Sequence, residues 1–127
     1  MTKAAAMQKF MDDFCKPHGM KAYAASAVPD KATLPYLTYE LVTGAWGDGD
    51  TNMVVKMWFH TDSEAVPNAV VQSFSERIGL GGVVLSCEEG AVWIKRGKPW
   101  CQSMHDNMDP RTKLRYINVA VEYLTSI

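Results

Sequence analysis

Cysteine is scarce: three in 127 residues, at positions 15, 87 and 101, an odd number with wide spacing. That excludes a disulfide framework and suits free thiols in a reducing compartment. Long apolar runs are also missing; none approaches the roughly 18 residues that cross a bilayer, so no membrane span is expected. The alanine-rich start MTKAAAMQKFMDDFC is interrupted by Asp12 and Asp13, and its Met7, Phe10, Met11 and Phe14 recur at helical spacing. We therefore read a helix there and no export signal. Charge of one sign is not in excess either: 13 Lys and Arg face 14 Asp and Glu, a formal net charge of −1. Nothing draws the whole chain toward polyanions. The expectation is one cytoplasmic domain over residues 1–127, long enough to bury a core without staples.

Catalytic signatures are lacking too. DGDTN sets Asp48, Asp50 and Asn52 at the first, third and fifth positions of a calcium loop, but Met53 and Phe59 stand where glycine and glutamate are required. A polar turn between strands is the better reading. IGLGGVV has Val84 in place of the last glycine of a dinucleotide fingerprint, and it follows a helix where a strand is needed. It reads as a helix stop. Cys15 and His18 stand at C-x-x-H spacing with no second pair to close a zinc site. A Cys–His nucleophile formed in space stays open, though a buried, inert cysteine is the commoner case. No catalytic residue, cofactor or metal is assigned, and no enzymatic activity is expected.

What is present is periodicity. The first helix is expected from Lys3 to Lys16, stopped by KPHG. VPDKATLP reads as a loop, and Leu37 to Val42 alternates as a strand. NMVVKMWFHT follows with Val55, Met57 and Phe59 on one side. A second helix is expected from Ser63 to Ile78, capped by Asp62 or Ser63, with a buried stripe of Val66, Val70, Phe74 and Ile78. VVLS, AVWIKR and LRYINVAVEYLT supply the remaining strands, the last with Ile117, Val119, Val121 and Tyr123 on one face. This order predicts an α+β fold: a single mixed, mostly antiparallel sheet flanked by two helices.

Charge is bipolar along the chain. Residues 40–64 hold Glu40, Asp48, Asp50, Asp62 and Glu64 against Lys56, whereas 95–115 hold six cations against Asp106 and Asp109. Such a layout suits pairing between copies, acidic patch to basic patch. The densest cations lie in AVWIKRGKPWCQSM, where Trp93 and Trp100 bracket Lys95, Arg96 and Lys98 and a bend is expected at Gly97 and Pro99. Aromatics among cations also suit single-stranded nucleic acid. A nucleic-acid module centred on residues 93–100 is the alternative reading.

LPYLTYELVTGAWGDGD, VVKMWFHTDS and the long segment from GGVVLSCEEGAVWIKRGKPW to RYINVAVEYLT follow in this order and spacing over roughly residues 30–125. In that combination the chain resembles small tail completion proteins of long-tailed phages and prophages, also labelled minor capsid proteins and similar to tail terminators. The resemblance implies a virion assembly protein with no enzymatic activity. Such a protein forms a ring, typically of six subunits, on the head-proximal end of the tail tube. It ends tail polymerisation and joins the tail to the head. Its partners would be itself, the tail tube protein and a head–tail connector, with DNA only passing through, in a virion tail assembled in the host bacterial cytoplasm. A neighbouring connector component is the nearest alternative role. Under this reading Asp48 and Asp50 form the acidic patch and Lys95, Arg96 and Lys98 the basic one. Trp100, Arg111, Lys113 and Arg115 complete the expected interface, with SMHDNMDPRTK as a loop toward a tail or head partner.

Overall fold

Helix α1 (Lys3–Cys15) starts where the Thr2 hydroxyl accepts a hydrogen bond from the Ala5 backbone N–H. That cap satisfies one of the orphan donors of the first turn. A 3₁₀ turn at Lys16–His18 follows, and Gly19 at φ 66° closes it. The Met20 and Gly19 amides then reach back to Cys15 and Lys16, a Schellman ending that only a residue comfortable in the left-handed region allows. These coordinates come from a computed structural model, which describes residues 1–40, 50–88, 90–105 and 108–125.

The strands are β1 (Lys21–Ala24), β2 (Tyr36–Tyr39), β3 (Asp50–His60), β4 (Val83–Cys87), β5 (Gly90–His105) and β6 (Thr112–Thr125), with helix α2 (Ala65–Ile78) between β3 and β4. They form one six-stranded sheet in the order β1-β2-β3-β6-β5-β4. The fold is α+β with a mixed, curled sheet, as the element order predicts. Among the described residues, β1 and β2 run parallel and the other neighbouring pairs antiparallel. Four residues of KAYA carry too short a pattern to announce a strand, and β1 is the element that periodicity does not reveal. The C-terminal β6 lies between β3 and β5, so its backbone is paired along both sides.

Both helices bury their stripes against the same face. Met7, Phe10, Met11 and Phe14 of α1 meet Val70, Val71, Phe74 and Ile78 of α2 over Val55, Met57, Phe59, Ile94, Ile117, Val119 and Val121. Phe74 is fully buried and its ring lies 4.8 Å from Phe14 and 6.3 Å from Phe10. A polar link adds register to this packing. Gln8 of α1 donates to the Ala22 carbonyl at 3.0 Å and accepts from the Tyr39 hydroxyl, whose pKa burial raises.

Two details of α2 depart from expectation. It begins at Ala65 with Glu64 at the N-cap and no side-chain cap, because the Ser63 hydroxyl serves Ala65 in a tighter turn. Val66 is 50% exposed, and Pro67 takes the buried position in the first turn. Val70, Phe74 and Ile78 of the expected stripe are buried, and only Val66 gives way, to Pro67.

Phe74 joins both helices to the sheet, so Phe74→Ala is expected to cost about 3–5 kcal/mol. Urea unfolding followed by circular dichroism reads it directly. A loss below about 1 kcal/mol would show that the core does not converge on this ring.

Candidate interaction surface

Strand β5 passes through Gly97 and Pro99 without ending, so the expected bend is a bulge inside one strand. Arg96 stands opposite Val119 and Cys101 opposite Ile117, leaving residues 97–100 facing Asn118 alone. Gly97 makes the bulge possible: a Cβ there would lie 2.6 Å from the Asn118 carbonyl oxygen. The Asn118 side chain donates to the Pro99 carbonyl at 2.8 Å and holds the far side. Trp100 then folds inward and stacks on Phe74, with 5.9 Å between ring centroids and 27° between planes.

The bulge forms one wall of a groove of about 600 Å3 whose lining includes Trp93, Lys95, Arg96, Lys98, Trp100 and Leu80. Trp93 is held at both ends. Its indole N–H donates to the Gly81 carbonyl at 2.9 Å, and the Lys95 ammonium sits 4.3 Å from its ring centroid. Gly82, at φ 84°, approaches so closely that a Cβ would meet the Ile94 carbonyl and the Trp93 indole nitrogen at 2.6 Å. Arg96 is anchored by a 2.9 Å hydrogen bond to the Ser75 hydroxyl of α2. Among the described residues, the groove's lining holds no carboxylate. It is cationic, apolar-walled and pre-organised.

The second expected basic group behaves differently. Lys113 and Arg115 share the inward parity of Ile117 and Val119, and they are 8% and 2% exposed. Their place in an accessible interface is therefore corrected. Both are held by Glu64 at the start of α2, at 3.5 Å from Lys113 and 2.5 Å from Arg115, and Asn68 takes a further Arg115 N–H at 3.1 Å. Arg111 pairs with Asp62 at 3.2 Å, and His60 meets Asp109 at 3.3 Å. These rungs cancel the charges of Asp62 and Glu64 inside the chain. The Arg115 hydrogen bond, and then the nearby charges of Arg115 and Lys113, hold the Glu64 carboxyl below its ordinary pKa. The Arg111 backbone N–H, with help from Thr112 and His60, does the same for Asp109.

Asp48 lies outside the described residues. The backbone of Asp50 pairs opposite Glu122 at the start of β3, while its side chain also lies outside the description. Of the expected interface residues, the structure thus brings together Lys95, Arg96, Lys98 and Trp100. It separates them from Arg111, which pairs with Asp62, and from Lys113 and Arg115, which tie β6 to the start of α2.

Leu80, Ser75 and Asn118 belong to this surface and are not singled out by any motif. The one available signal is a leucine set between glycines in IGLGG, which otherwise reads as a plain helix stop. Burial pushes Cys15 up to about 12 and also raises Cys101, so both are protonated at neutral pH. His18, at C-x-x-H spacing from Cys15, meets the Ser73 hydroxyl at 3.3 Å and the Phe14 ring. Among the described residues no group of three or more His, Cys, Asp or Glu is placed to hold a metal ion, and no helix is long and apolar enough to cross a membrane. Compared with known proteins, the chain matches no family model and no curated protein.

Two substitutions test the architecture of this surface. A carboxylate whose folded pKa is depressed stabilises the fold above its ordinary value of 4.5 and loses that contribution as pH falls through the folded value. Glu64→Gln is therefore expected to be less stable than the wild type at neutral pH, with the gap closing on acidification; a gap independent of pH would contradict the Arg115 pairing. Gly97→Ala forces the Asn118 backbone aside and is expected to cost about 1–3 kcal/mol. The same change should shift the near-ultraviolet signal of Trp100, and an unaltered spectrum with unaltered stability would refute the close approach.

Proposed function

We propose that this chain is a structural virion assembly protein of the tail terminator type. Copies join head to tail into a ring on the head-proximal end of a tail tube, stop its polymerisation and offer the surface that meets the head. Six subunits is the number expected from the resemblance. The partners are a second copy, the tail tube protein and a head–tail connector, with DNA passing through the ring. The protein assembles in the host bacterial cytoplasm and ends in the virion tail.

One observation supports the reading most: Lys95, Arg96 and Lys98 line one groove on a chain of net charge −1. A ring with heterologous contacts needs two different, complementary patches on each subunit. The groove supplies the basic one, and Asp48 and Asp50 are proposed for the acidic one. The competing nucleic-acid reading needs free indole faces for stacking. Trp93 has Lys95 over its ring and Trp100 is stacked on Phe74, which disfavours base binding.

Native mass across protein and salt concentration tests the proposal. A discrete closed oligomer near six subunits is expected, dissociating as salt screens the exposed charges. The double variant Lys95→Glu, Arg96→Glu should fail to assemble while keeping its circular dichroism spectrum. Normal assembly of that variant would refute the charge-paired ring. A chain that stays monomeric yet binds single-stranded oligonucleotide with steep salt dependence would favour the second reading.

A further inference from the structure

The two edges of the sheet are finished differently. At one edge the Gln8 amide of α1 donates to the Ala22 carbonyl of β1 at 3.0 Å, and the exposed Lys21 stands beside it. A covered carbonyl and a charge both blunt a strand edge. At the other edge β4 reads VVLSC, without a charge or a proline. Cys87 and Gly90 are partners at the end of the β4–β5 ladder, so every second residue back along β4, Leu85 and then Val83, turns its backbone groups to β5. By the same alternation Ser86 and Val84 turn their N–H and C=O away from the sheet. Among the described residues no backbone group answers either of them. Two residues beyond Ser86, the Glu88 N–H donates to the Met1 carbonyl at 2.7 Å, so a backbone carbonyl already pairs on this line.

That edge opens on a groove of about 570 Å3 between β4 and α1. Its floor is apolar: Val83 and Leu85 stand opposite the buried Ile94 and Val92, and Ala6 and Phe10 of α1 form the facing wall. Of the charged side chains in the lining, Lys9 and Asp13 pair with each other at 2.6 Å. Arg77, in the last turn of α2, has its guanidinium carbon 5.7 Å from the Phe10 ring and no ion pair or hydrogen bond to a described residue. Unanswered N–H and C=O groups at strand spacing call for an extended polypeptide, because neither a lipid nor a nucleic acid returns a row of alternate donors and acceptors. The unpaired guanidinium calls for a carboxylate on that segment. The sheet of a second copy does not supply the strand. Its β1 edge is covered by Gln8, and its β4 edge faces its own α1 across the groove, which leaves room for one strand rather than a second sheet.

We infer that this groove receives an extended segment of a different protein, which adds to β4 as a seventh strand, rests alternate apolar side chains on Ala6, Phe10 and Leu85, and brings a carboxylate to Arg77. The inference is independent of the ring reading and uses no residue of the cationic groove. The test is selection of displayed random peptides of about ten residues on the full chain. Enriched sequences are then titrated into wild type, Arg77→Gln and Ser86→Pro. Ser86→Pro removes an outward N–H and no bond to β5, a change that an edge strand tolerates, and circular dichroism checks its fold. Enriched peptides are expected to alternate apolar residues, to carry Asp or Glu, and to bind both variants at least about tenfold more weakly than wild type. On binding they should slow hydrogen exchange at the Val84 and Ser86 amides, which exchange freely in the unbound chain. That readout needs no substitution and decides the matter even where Ser86→Pro unfolds. Peptides without alternation, peptides that bind both variants as they bind the wild type, or no enrichment at all would each overturn the inference. Protection of Val84 and Ser86 that grows with protein concentration in the absence of peptide would assign the edge to a second copy and overturn it too.

Discussion

Arg115 beneath Glu64 is the contact from which the rest of the surface follows. Strand β6 is central and directs its odd-numbered residues toward the helices, so Lys113 and Arg115 enter the same layer as Ile117 and Val119. A guanidinium that is 2% exposed cannot stay unpaired there, because removing its partner would leave a desolvated charge. Glu64 and Asn68 meet it from the first turn of α2, and this ties the start of the helix to one place on the sheet. Once α2 is docked, Phe74 lies under Trp100, Ser75 meets Arg96, and the turn at its end reaches Trp93. The groove is thus built on a helix whose position is decided about ten residues earlier in the chain.

The bulge in β5 is the second element of that construction. Four residues of one strand stand against a single asparagine of the next, and the excess is absorbed by close backbone contact at Gly97 and by the Asn118 amide on Pro99. Bulges re-aim side chains without ending a strand. Here the result is that Trp100 turns into the core while Lys95, Arg96 and Lys98 line the groove. Rigidity matters for recognition, because a surface already in place loses less conformational freedom on binding.

Charge is sorted by the fold. Along the sequence the cations of 95–115 form one group; in space they divide into a set that lines an outer groove and a set paired within the chain, Arg111 with Asp62 and both Lys113 and Arg115 with Glu64. Exposed pairs such as Arg111–Asp62 are individually weak. The Glu64 pairings differ because their cationic ends are buried.

By itself the sequence determined the two helices, the α+β class, the alternation of β3 and β6 and the aromatic–cation stretch at 93–100, since each is written in local periodicity or composition. Lys113 and Arg115 were legible in principle: their parity matches Ile117, but cations at inward positions read as surface until a partner is seen. Only the tertiary structure decided that partner, because Glu64 and Arg115 are 51 residues apart. The same holds for β1, whose four residues become a strand only beside β2, and for the bulge, whose need for glycine comes from the backbone of Asn118. Leu80 becomes part of a groove only because α2, β5 and the turn between α2 and β4 meet there. Local pattern specifies elements and faces; contacts distant in sequence specify which charges and which apolar groups remain for a partner.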